Sequence, residues 1–181
     1  MEVFWREGYQ GASLSTLGPA MGLLPGSIYA AFGSKEALYR EALAVYTARV
    51  RDTLGRADVP ARQILERWFA SFIAAALDVE GGQLGRGCLL LGSAAEAPRL
   101  DPQSAALVRA ELDALERFFK HCVKQARAAA PAEARNQADR PSPAATARLL
   151  VAALAGISAM SRAGVTKRAL DDVARAALAQ V

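Results

Sequence analysis

The sequence predicts an all-α protein: a small N-terminal helix-turn-helix bundle followed by a larger helical domain. Three observations predict it. Apolar residues recur at intervals of three and four along most of the chain, and no alternating strand pattern occurs. Glycines and prolines fall mainly between these periodic segments. Hydrophobic residues make up 52% of the 181 positions, many of them alanine and leucine, which favour helix. A chain of this length can bury a substantial core.

Met1–Trp5 reads as the middle of a first helix, truncated at its start. A short helix is predicted from about Leu14 to Met21, ended by Gly22 where a left-handed backbone is needed. Gly18 and Pro19 fall inside it. An interior proline costs about 3 kcal/mol, which moves the predicted start to as late as Ser15. A second short helix opens at Pro25, whose missing N–H needs no partner in a first turn. It carries Ser27, Ile28, Tyr29 and Phe32, with Ile28 and Phe32 turned to the core, and stops at Gly33. Ser34 then offers an N-cap hydroxyl to a long helix that has Glu36 in its first turn. Helix, tight turn and helix is the arrangement that lets one exposed helix enter a DNA major groove.

The long helix runs to about Leu54, with Tyr39, Leu43, Tyr46, Val50 and Leu54 spaced 4, 3, 4 and 4 along one face. The next spans about Ala61 to Asp78. After the glycines at 81, 82, 85 and 87, another carries Leu84, Cys88, Leu91 and Ala95 and is closed by Pro98. Asp101-Pro102 opens the longest apolar register, through Val108, Leu112, Leu115, Phe119, Cys122 and Ala126. From Ala128 to Pro143 the composition is that of a loop. Helices from Ala144 to Met160 and from Thr166 to Val181 complete the chain.

Phe4, Gly8, Tyr9, Ser13, Leu17, Gly22, the Gly26-Ser27-Ile28-Tyr29 run, Phe32 and the Ser34-Lys35-Glu36-Ala37-Leu38 junction resemble the N-terminal domain of TetR/AcrR-type transcriptional regulators. Gly87-Cys88-Leu89-Leu90 followed by Ala94, Ala95 and Glu96 is similar to a ligand-domain segment of some members. The resemblance implies a DNA-binding domain over 1–46 and an effector-binding and dimerisation domain over 47–181. It also implies a flexible, often basic arm upstream of the first helix.

On that reading, Pro25, Gly26, Ser27, Tyr29 and Ala30 face double-stranded operator DNA, together with Ser13. Gly26 and Ser27 offer backbone N–H groups and a hydroxyl to phosphate. The resemblance implies phosphate contacts for Tyr29 and Lys35. Leu24 departs from the family pattern, standing where a serine, threonine or asparagine usually caps the recognition helix. With two alanines and no arginine, asparagine or glutamine on that helix, specificity leans on methyl contacts, DNA shape or the upstream arm.

Trp68, Phe69, Phe72, Cys88, Leu91 and Phe119 either line a pocket or form ordinary core. The resemblance implies a small, usually hydrophobic effector bound among such helices. Cys88 follows Arg86 and Gly87 at a helix N-terminus, and both the dipole and the arginine lower a thiol pKa. It is therefore either an electrophile sensor or a structural cysteine. The helix through Leu149, Ala152, Ala153, Gly156, Ile157 and Met160 is dense in small residues, which allow close helix approach, and its wide apolar surface needs burial on more than one side. With Leu170, Val173, Ala174 and Ala177 on the last helix it is expected to build a two-fold four-helix interface, as the resembling family does.

Charge alone does not point to DNA. The chain carries a net charge of +4. Met1–Thr47, however, holds three basic residues (Arg6, Lys35, Arg40) against four acidic (Glu2, Glu7, Glu36, Glu41). Cys88 and Cys122 have no paired spacing, so neither a disulfide framework nor a zinc site is expected. His121, the single histidine, reads as a surface residue. The glycine-rich stretch 81–87 lacks a preceding strand and a following Lys-Ser/Thr, so it is no P-loop. No cofactor, metal or enzymatic chemistry is expected.

The apolar run Leu149–Ser161 is too short to span a bilayer, and a soluble cytoplasmic protein is expected. The function implied is a ligand-responsive repressor, dimeric on a pseudo-palindromic operator and released by a small hydrophobic or electrophilic effector. The alternative is a helical small-molecule-binding or interaction protein with an incomplete DNA reader.

Overall fold

The computed structural model describes residues 1–54, 59–77, 86–131 and 140–181. Among the described residues there are nine α-helices and no strand. They are α1 (Glu2–Gly11), α2 (Leu14–Met21), α3 (Pro25–Phe32), α4 (Lys35–Leu54), α5 (Ala61–Leu77), α6 (Leu89–Glu96), α7 (Pro102–Ala128), α8 (Pro143–Arg162) and α9 (Lys167–Leu178). The chain divides into two compact units: Met1–Thr53 with Cys88–Glu111, and Leu54–Gly87 with Leu112–Val181.

In the first unit, Phe4, Leu17, Ile28, Tyr39 and Leu43 are almost completely buried and join α1 to α4 in one core. Tyr39 is its hub. Its ring meets Phe4 edge-on at 5.2 Å and Tyr9 at 4.9 Å, separations at which aromatic pairs attract. The predicted face of α4 is the buried one, with Tyr39, Leu43 and Tyr46 inside. Leu54 closes that predicted face, but its side chain lies outside the described residues. Asp101 Oδ1 caps α7 by accepting from the Gln103 and Ser104 N–H groups, each at 3.1 Å, and takes Arg40 Nη1 at 3.2 Å.

α2 spans Leu14–Met21 as first predicted, with Pro19 inside it and its start not delayed to Ser15. Pro19 denies the Ser15 carbonyl its helical partner, but both residues are exposed and water can take that place. α6 begins only at Leu89, because Gly87 sits at φ 65° and Cys88 is extended at φ −121°, ψ 130°. Leu84, predicted on the same helix, and positions 132–139 of the predicted loop lie outside the described residues.

In the second unit, Leu65, Phe69 and Ile73 of α5, Phe119 and Val123 of α7, Leu150, Leu154 and Ile157 of α8 and Leu170 of α9 are buried. α8 packs on both α5 and α9. By length and composition α8 is apolar enough to cross a membrane, yet its most apolar stripe faces this core. Arg127 staples the unit, donating to the Pro141 carbonyl at 2.8 Å, the Thr146 hydroxyl at 2.8 Å and the Gln180 carbonyl at 2.9 Å.

Candidate nucleic-acid interface

Two local devices set the α2–turn–α3 geometry. At its start, the Thr16 N–H donates to Ser13 Oγ at 3.2 Å and the Ser13 N–H donates to Thr16 Oγ1 at 3.0 Å, a reciprocal capping box. At its end, Gly22 adopts φ 65° and the Leu23 N–H reaches back to the Gly18 carbonyl at 2.9 Å. A Cβ on Gly18 would stand 2.8 Å from the Leu23 carbonyl oxygen, so the close turn requires glycine there.

α3 follows at once. Pro25 occupies its first turn, and Leu24, at the N-cap, makes no side-chain cap bond. No side chain caps this end, where the Leu24 carbonyl accepts from the Ser27 N–H at 2.9 Å and the Ile28 N–H at 3.2 Å, and the helix dipole leaves it partially positive. Ile28 is buried, while Pro25, Gly26, Ser27, Tyr29, Ala30 and Ala31 are exposed. Phe32 is half-buried, less enclosed than its four-residue spacing from Ile28 predicts. Ser34 Oγ accepts from the Ala37 N–H at 3.1 Å and caps α4 as predicted.

At the start of α4, Lys35 and Glu36 pack against the buried Tyr9 of α1. Lys35 Nζ lies 4.5 Å from the centroid of the Tyr9 ring, a cation–π distance. The Tyr9 hydroxyl donates to Glu36 Oε1 at 2.7 Å. Burial and that bond push the Tyr9 hydroxyl far up, and the same bond, with backbone and Ser34 contacts, holds the Glu36 carboxyl below its ordinary range.

Glu96 holds the break in α1, a structural role that the motif reading did not resolve. Its Oε2 accepts from the Tyr9 N–H at 2.7 Å and the Gln10 N–H at 3.4 Å. Gly8, at φ 72° and ψ 178°, breaks α1 there and frees those amides. A glycine followed by an aromatic inside a helical register was the available signal.

The other predicted residues separate by unit. In the second, Trp68, Phe69, Phe72 and Phe119 form one aromatic cluster, with Trp68 4.7 Å from Phe119 and 5.9 Å from Phe72. A cleft of about 380 Å³ between α5 and α9 is lined by Phe69 and Ile73, with Glu66, Asp171 and Arg175 at its edges. A second of about 730 Å³, lined by Ala61, Gln125, Ala126, Arg140 and Val181, contains none of the predicted effector residues.

Cys88 and Leu91 belong to the first unit and are buried there. The Tyr46 hydroxyl donates to Cys88 Sγ at 3.2 Å. Burial pushes the Cys88 thiol up, which corrects the expectation of a lowered value: loss of water outweighs the hydrogen bonds from the Tyr46 hydroxyl and the Leu90 and Leu91 backbone, which act to lower it. His121 is exposed, as predicted.

Of the predicted dimer residues, Ile157, Leu170, Ala174 and Ala177 are buried in the protomer's own core. Leu149 and Ala152 are exposed, and Ala153, Gly156, Met160 and Val173 are half-buried. A Cβ on Gly156 would meet nothing within 4 Å.

An exposed helix held on a capped helix and a glycine turn defines a helix-turn-helix protein of the transcription-regulator class. Residues 1–42 match the family model of bacterial regulatory proteins of the tetR family. Among solved structures, a cysteine mutant of the TetR family regulator CifR, complexed with 26-base-pair double-stranded operator DNA, is 33% identical with a TM-score of 0.76. That alignment covers 98% of this chain and 90% of CifR. The chain belongs to the TetR family of transcriptional regulators.

The fold alone is shared with a TetR family regulator from Agrobacterium tumefaciens, at 18% identity and TM-score 0.84 over 99% of this chain and 91% of that one. It is shared likewise with reduced E. coli NemR, at 18% identity and TM-score 0.76 over 97% and 89%. Among curated protein sequences none matches.

Proposed function

We propose that the chain is a cytoplasmic, ligand-responsive transcriptional repressor. It binds a pseudo-palindromic operator as a homodimer and is released by a small hydrophobic or electrophilic effector. The observation that carries this reading is the solvent-facing α3, whose outward residues have no packing role in the head. CifR, a relative above 30% identity, is complexed with operator DNA, and that supports the same partner here.

In this reading residues 1–46 are the DNA-binding part and 47–181 the effector and dimerisation part. Ser13, Ser27, Tyr29 and Lys35 contact phosphate, while Pro25, Gly26 and Ala30 let the α3 backbone approach the groove. Trp68, Phe69, Phe72 and Phe119 of the second unit, and Cys88 and Leu91 of the first, are the candidate effector contacts. The interface is built on α8 and α9, through Leu149, Ala152, Ala153 and Gly156 outermost. The effector acts by favouring a conformer in which the two readers no longer match successive major grooves, so its leverage is its difference in affinity between the two states.

The test is fluorescence anisotropy with a duplex selected from a randomised library, titrated across salt. A true reader gives a log–log slope of about −0.9 per phosphate contacted. The near-neutral head, with three basic residues against four acidic over Met1–Thr47, favours the second reading, a helical binding protein with an incomplete reader. Weak, salt-insensitive binding to every duplex would select it.

A further inference from the structure

From Gly11 to Ser34 the chain carries no charged and no amide side chain. This stretch is the whole of α2, the turn and α3, the part of the head that would enter a groove. What it exposes instead is apolar: Leu24 is 77% exposed, Leu23 39% and Met21 36%, beside Tyr29 at 50%. Leu24 stands at the N-cap of α3 and makes no cap bond there. In helix-turn-helix readers the N-terminal residues of the second helix meet the base edges.

The major groove offers donors, acceptors and one apolar feature, the 5-methyl group of thymine. Bidentate reading of guanine or adenine uses arginine, lysine, asparagine or glutamine, and the strongest acceptor for the cytosine amine is a carboxylate, while serine and threonine hydroxyls bond to several bases with little discrimination. No basic, amide or carboxylate side chain is available between Gly11 and Ser34. The hydroxyls of Ser27 and Tyr29 suit phosphate and discriminate little between bases. A large apolar side chain at the mouth of the helix therefore has one complementary partner in the groove.

We propose that Leu24 is a specificity-determining residue that reads a thymine 5-methyl group in the major groove, so that sequence preference at the pair it meets comes from apolar contact. The inference rests on the DNA-binding reading above, and it adds which chemical feature of the operator is recognised and by which side chain.

The test starts from the duplex that the full-length protein selects from a randomised library. Each thymine is replaced in turn by deoxyuridine, which deletes only the methyl group, and affinities are measured for the wild type and for Leu24→Ala. Deoxyuridine at one position per half-site should weaken wild-type binding by about fourfold, the effect of burying one methyl-sized group. Leu24→Ala should bind thymine and deoxyuridine duplexes alike. Because Leu24 is exposed, this variant is expected to keep its circular dichroism spectrum and melting temperature.

Wild-type binding that is indifferent to every deoxyuridine, or a methyl preference that survives Leu24→Ala, overturns the proposal and leaves DNA binding standing. A library from which no preferred duplex emerges removes the DNA-binding reading as well.

Discussion

The Glu96 carboxylate accepts the Tyr9 backbone N–H at 2.7 Å, in the space that Gly8 leaves by having no side chain. A Cβ on Gly8 would fall 2.1 Å from Glu96 Oε1. Gly8 also sits at φ 72°, ψ 178°, a backbone region that is essentially glycine-only. Gly8 and Glu96 are thus one device, which breaks α1 and re-caps its last turn from α6. Gly8→Ala should destabilise by about 1–3 kcal/mol, and Glu96→Ala by about 1–2 kcal/mol through the lost charge-assisted bond. The double variant should lose less than the sum, because removing the carboxylate removes the clash and leaves only the backbone strain. Urea unfolding in a double-mutant cycle measures this coupling, and strict additivity would dissolve the device.

The Tyr9–Glu36 bond makes stability depend on pH. Glu36 is lowered in the folded state, so its contribution is fully present above the unfolded carboxyl pKa, about 4.3. It is lost as pH falls through the lower folded value. Tyr9 is raised, so its contribution holds below its unfolded pKa near 10 and fades as pH rises past that. Tyr9→Phe keeps the ring contacts and removes the bond, at a cost of about 1 kcal/mol near pH 7. Denaturant midpoints of the two proteins should draw together as acid protonates Glu36 in the folded state, and a gap that acid leaves unchanged would assign the loss to packing.

Glycine to alanine inside a helix ordinarily stabilises by about 0.8–1 kcal/mol. Gly18→Ala should do the reverse, losing about 1–3 kcal/mol as the added methyl pushes on the Leu23 carbonyl. Gly26→Ala meets nothing within 4 Å, so it should gain about 0.4–1 kcal/mol. Under the proposed function it should weaken DNA binding as well, by holding the α3 backbone off the phosphates. Thermal melts and anisotropy on both variants separate fold from function; equal melting shifts would refute the assignment of Gly18 to the turn.

Gly156 tests the assembly. Its missing side chain leaves open space in the protomer, so Gly156→Glu should preserve the fold. In the proposed dimer it would bury an unpaired charge between α8 helices, and sedimentation should shift to the monomer. Leu154→Glu, on the buried side of the same helix, should unfold the protein instead. An unchanged sedimentation coefficient for Gly156→Glu would move the interface elsewhere.

The head was legible in the sequence because its determinants are local. Gly22, Pro25, Gly33 and Ser34 act through their own backbone torsions and the nearest amides, so their identities fix α2, the turn and α3 without reference to distant residues. Periodicity likewise identified Tyr39, Leu43 and Tyr46 as one buried face. It overreached at Cys88, which falls in register with Leu91 and Ala95 but lies before the helix, because the torsions at Gly87 and Cys88 outrank apolar spacing.

Only the tertiary structure decided the rest. Apolar residues surround α8 almost completely, so its sequence offered several inward stripes; packing on α5 and α9 chose Leu150, Leu154 and Ile157. The Cys88 thiol turned on burial beside Tyr46, 42 positions away in the chain. Glu96 met Gly8 and Tyr9 across a still longer separation. Chain-local torsions and caps are written residue by residue, whereas desolvation and long-range hydrogen bonds exist only once distant segments share the same space.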